Sequence, residues 1–68
     1  MDMDLNIDNY SVSELLVVLD LSDDPTRDEI NKKSQDLIDK FTLENKSIFA
    51  DFFSKARDRV LEYTDTLD

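Results

Sequence analysis

Two capping boxes fix where this chain can start helices. Ser11 with Glu14 and Thr26 with Glu29 both read S/T-x-x-E. In that spacing hydroxyl and carboxylate each satisfy a backbone N–H that a helix start leaves without a partner. Behind the first box, Val12, Leu15, Leu16 and Leu19 recur at helical spacing, which predicts a short helix over residues 12 to 20, with Val17 and Val18 off its stripe. Ser22-Asp23-Asp24-Pro25 is a turn signal. Behind the second box, Ile30, Ser34, Leu37, Ile38 and Phe41 share one face over residues 27 to 41, and Asp28, Lys32, Gln35, Asp36 and Asp39 lie largely on the other. The polar stretch Thr42 to Lys46 interrupts the pattern. Phe49, Phe52, Phe53, Ala56, Val60 and Tyr63 then mark a third helix from 47 to 64. The expected fold is all-α: a short first helix followed by an antiparallel helical hairpin, its core drawn from Ile30, Leu37, Ile38, Phe41, Phe49, Phe52, Phe53, Ala56 and Val60.

The opening has a different period. Met1, Met3, Leu5 and Ile7 alternate with Asp2, Asp4, Asn6 and Asp8, the pattern of an extended strand. No other segment reads as a strand to pair with it. Residues 1–10 are therefore expected to form an extended acidic arm with three possible fates: lying over the chain's own helices near Val17 or Val18, adding to a partner, or staying loose. A three-helix domain is expected over residues 11–64, with 65–68 as a tail or the start of a linker.

Composition narrows the chemistry. The 68 residues include no His, Cys, Gly or Trp. Imidazole and thiolate chemistry, disulfides and His/Cys zinc sites are thereby excluded, as are glycine-rich phosphate loops. The expectation is a non-enzymatic protein without a cofactor or metal. Net charge is -9, and the asymmetry is sharp: Asp2, Asp4, Asp8, Glu14, Asp20, Asp23 and Asp24 precede the first base, Arg27. Phosphate backbones and anionic membranes repel such a surface, so nucleic-acid and membrane partners are not expected. A protein partner with a basic surface is. No signal peptide or long apolar run is visible, which predicts a soluble intracellular protein.

Several constellations allow two readings. Asp2-x-Asp4-x-Asn6-x-Asp8 is similar to the first half of an EF-hand calcium loop, but Ile7 stands where that loop turns on Gly, and Ser13 where it needs a bidentate Glu. A solvated arm is the simpler reading. Asp23 and Asp24 read as turn residues and as anions favourable near a helix start. Lys55, Arg57 and Arg59 interleave with Asp51, Asp58 and Glu62, which reads as helix-surface ion pairing rather than an anion site. Phe49, Phe52 and Phe53 read as core. Val17, Val18, Leu43, Ile48 and Leu61 fall off the main stripes, with Leu43 in the expected loop, and together make a candidate partner-docking patch.

From Tyr10 to Tyr63 the layout resembles a J domain, the small helical module of co-chaperones that stimulate heat-shock ATPases. Tyr10-Ser-Val-Ser-Glu-Leu-Leu-Val-Val-Leu-Asp-Leu21 resembles the family's "Y-x-x-L-G-L" first helix, and Asp24-Pro-Thr-Arg-Asp-Glu-Ile30 resembles its "A-T-x-x-E-I" turn. Ile30, Leu37, Lys40 and Phe41 fit "I-K-K-A-Y-R-K-L-x-x-K-Y". Phe49-Ala-Asp-Phe-Phe-Ser-Lys-Ala56 through Val60-Leu-Glu-Tyr63 is similar to the third helix. The family's His-Pro-Asp motif falls on Thr42, Leu43 and Glu44, so its His and Pro are absent. The resemblance then implies a degenerate J-like interaction module, with co-chaperone regulation of a heat-shock ATPase as one alternative and a calcium-binding acidic module as another. Leu5 to Leu16 also looks like amino-terminal segments of structural proteins from large nucleocytoplasmic DNA viruses. That likeness implies a place in a larger assembly, in the host cytoplasm or virion.

Overall fold

The computed structural model describes residues 5–66. Helix α1 spans Val12–Val18, α2 Arg27–Leu43 and α3 Ser47–Thr66. Both capping boxes form. The Ser11 N–H donates to Glu14 Oε1 at 3.0 Å and the Glu14 N–H to Ser11 Oγ at 3.2 Å. At α2 the Thr26 N–H donates to Glu29 Oε1 at 3.2 Å and the Glu29 N–H to Thr26 Oγ1 at 3.1 Å.

Without glycine, α1 and α2 still end in the left-handed turn that glycine usually supplies. Asp20 (φ 58°) and Asn45 (φ 60°) take that position. Each closes a pair of reverse bonds: the Leu21 N–H to the Leu16 carbonyl at 2.8 Å with Asp20 to Val17 at 3.1 Å, and Lys46 to Phe41 at 2.8 Å with Asn45 to Thr42 at 3.1 Å. Asp and Asn tolerate this region better than other Cβ-bearing residues, at a residual steric cost. The α2–α3 connection is correspondingly tight. Lys46 ends one helix with its N–H and starts the next with its carbonyl, which accepts from the Ala50 N–H at 3.1 Å.

α2 and α3 pack as the antiparallel hairpin, and the backbone of α1 approaches α3 but not α2. The core joins Leu15 and Leu16 from α1 and Leu19 at its C-cap, Ile30 from α2, and Phe52, Phe53, Ala56 and Val60 from α3. Leu37, Ile38, Phe41 and Phe49 pack around it, half-buried. Phe41 stacks on Phe53 with ring centroids 5.3 Å apart, and Phe52 meets Phe53 edge-on at 5.5 Å. Ser34 lies on the same stripe, wholly buried, with no hydrogen-bond partner for its hydroxyl.

Four expectations about boundaries change. α1 ends at Val18 rather than at residue 20, because the left-handed Asp20 turns the chain there. The alternating amino terminus does not stay extended: Ile7–Asn9 closes into a 3-10 turn, with the Asn6 side chain accepting from the Asp8 N–H at 3.1 Å. A lone strand would leave its backbone groups to water, whereas this turn bonds them locally and presents Ile7 to the core. The expectation for Met1 to Asp4 lies outside the described residues. α2 runs on through Thr42 and Leu43, because no Pro or Gly stops it and Thr42 Oγ1 donates to the Ile38 carbonyl at 2.7 Å. α3 likewise continues to Thr66, taking residues 65 and 66 from the expected tail, with Thr64 Oγ1 bonded to the Val60 carbonyl at 3.0 Å.

Candidate docking surface

The five candidate docking residues divide by how much of their apolar surface the core already uses. Val17, Leu43 and Ile48 stand out at 78%, 86% and 65% exposure. Val18 and Leu61 are half-buried and pack against the core cluster. They leave the patch because α1 sits on α3 and draws both flanks inward. Leu43, expected in a loop, is the last residue of α2, and Ile48 lies in the first turn of α3. The tight turn holds these two at one end of the hairpin, whereas Val17 sits on a separate element.

The same end of the hairpin carries two lysines against an aromatic ring. Lys40 Nζ lies 5.6 Å and Lys46 Nζ 6.0 Å from the centroid of the half-buried Phe41 ring, within cation–π range. Lys46 also pairs with Glu44 at 3.4 Å. Thr42, Leu43 and Glu44, onto which the J-domain resemblance would set its His-Pro-Asp, form the last turn and cap of a helix, all exposed. A Pro at position 43 would end α2 there, and Leu43 lets it continue.

The cationic side of α3 resolves into ion pairs. Lys55 meets Asp51 at 3.1 Å, and Arg57 meets Asp58 at 3.4 Å. Arg59 reaches back across the fold to Asp8 rather than along its own helix. That bond was not legible in the sequence. Together with Tyr10, edge-on to Phe52 at 5.3 Å, and with Ile7, it seats the amino-terminal segment on α3. Tyr10 was the available signal, an aromatic placed just ahead of a capping box. The segment covers core residues of α3 and leaves Val17 exposed.

Of the calcium-loop candidates, Asn6 is engaged in its turn and Asp8 with Arg59, and Asp2 and Asp4 lie outside the described residues. Among the described residues no pocket opens, no group of three or more acidic, His or Cys side chains gathers around a common point, and no helix is long and apolar enough to cross a membrane. No protein family, curated protein or solved structure matches the chain.

Proposed function

We propose that this chain is a non-enzymatic protein–protein interaction module that docks through the turn end of its hairpin. The observation that carries the reading is the exposure of both Leu43 and Ile48, one on either side of one tight turn. Single exposed apolar residues are ordinary, but two large ones on the two sides of one short turn give a partner's apolar side chains something to bury against. The acidic loop of Asp20, Asp23 and Asp24 lies at the other end of α2, where a basic partner surface would meet it. In order of elements the module is J-like, and without the family's His and Pro it serves docking rather than ATPase stimulation. A finer proposal, from the likeness of Leu5 to Leu16, places it at the amino end of a large-DNA-virus structural protein, acting in host cytoplasm or virion.

The test is affinity capture with the parent protein and a Leu43→Asp/Ile48→Asp variant. Loss of the captured partner, with helicity and melting temperature unchanged, is the expected result. Equal recovery by the variant refutes docking at this end. Added heat-shock ATPase should turn over at its basal rate, and acceleration by the parent would favour the co-chaperone alternative.

A further inference from the structure

We propose that residues 5–19 exchange between two copies of this chain, each copy's α1 and preceding turn docking on the other's α3. The occupant's chemistry is given by the contacts made within one chain. Tyr10 lies edge-on to Phe52, Asp8 pairs with Arg59, and Ile7, Leu15, Leu16 and Leu19 join the α3 core residues. All of these join residues far apart in sequence, and the backbone of α1 approaches only α3. A second copy can therefore supply the same side chains in the same geometry, with no new surface required.

The link between the two units is weakly held. Asp20 holds φ 58°, a left-handed conformation that costs a Cβ-bearing residue free energy, so the two reverse bonds it closes at the end of α1 stabilise the closed link less than a glycine cap would. Pro25 biases Asp24 toward extended backbone and prevents α1 and α2 from fusing into one helix. The exposed pair of Asp20 with Lys33, at 3.3 Å, is a weak tie across the link. Against exchange, Asp20, Asp23 and Asp24 of two links would come together, so added salt should raise the dimer fraction.

The full chain should be refolded from denaturant at about millimolar concentration and separated by size, on the scale where weak association is populated. The expected result is monomer plus a dimer of equal helicity per residue that persists on dilution. The chain has no cysteine, so an Asp8→Cys/Arg59→Cys pair reports where the segment docks: on oxidation, bonds join the two chains of the isolated dimer but close within each monomer. Tagged and untagged chains should form mixed dimers when refolded together and not when mixed already folded. Asp20→Gly, which relieves the closed link, should lower the dimer constant about fivefold per link. Deleting Ser22 to Asp24 should shift the chain toward dimer, because the shortened link cannot return α1 to its own α3. Monomer alone after concentrated refolding overturns the proposal, as does a dimer whose cysteine pairs close within each chain.

Discussion

Ser34→Ala should make this protein more stable. The hydroxyl is wholly buried in the middle of α2, among side chains that are otherwise apolar, and has no hydrogen-bond partner. Leaving such a group unsatisfied costs about 1–3 kcal/mol. Ala adds about 0.5 kcal/mol of helix propensity over Ser. The oxygen removed leaves a void of roughly 10–15 Å³, worth about 0.3 kcal/mol at the usual cavity coefficient. The balance is a gain of about 1–3 kcal/mol, a large share of the total for a chain this short. In a domain of this size each 1 kcal/mol moves the melting temperature by about 4–8 °C. Urea unfolding followed by far-UV circular dichroism measures the gain, and an unchanged slope would show that the native state, not the unfolded ensemble, has changed. Ser34→Cys, similar in volume but less polar, should fall between parent and Ala. A loss of about 1 kcal/mol or more on Ser34→Ala would refute the reasoning, by showing that the hydroxyl bonds back to the Ile30 carbonyl one turn earlier.

Phe52→Ala removes a fully buried ring that contacts Tyr10 and Phe53; a loss of about 3–5 kcal/mol is expected, enough to unfold much of the population at 25 °C. A cooperative transition at the parental midpoint would contradict the assigned core. Asn45→Gly relieves the left-handed turn between α2 and α3 and should stabilise by about 0.5–1 kcal/mol, while Asn45→Ala should destabilise by a similar amount; matching effects of the two in thermal melts would contradict the cap assignment. Thr26→Ala removes a capping box and should cost about 1 kcal/mol, with hydrogen exchange faster in the first turn of α2 than near Leu37. Uniform acceleration along the helix would count against a local cap.

How much was legible followed the range of each interaction. Helix starts at Ser11 and Thr26 were readable because a capping box is complete within three residues. The apolar stripe led directly to Ile30, Phe52, Phe53, Ala56 and Val60, since burial of a helix face follows its period. Leu15, Leu16 and Leu19 were visible as a stripe, but that they would complete the hairpin's own core was not. Helix ends were harder to read, because the stops at Asp20 and Asn45 use residues that carry no glycine signal. Of the docking candidates, Leu43 and Ile48 stayed exposed, while Val18 and Leu61 were drawn into the core by the way α1 lies on α3.

The sequence by itself therefore determined an all-α chain with its helix starts, its core stripe and its charge asymmetry, because these depend on residue type and short spacing. Only the tertiary structure decided where the amino-terminal segment goes. Its alternating pattern suits a strand when read locally, yet Ile7 and Tyr10 pack against the core around a 3-10 turn, and Asp8 finds its counter-charge on Arg59, 51 residues away. No local rule reaches that far: such contacts form only once α3 is in place to receive them.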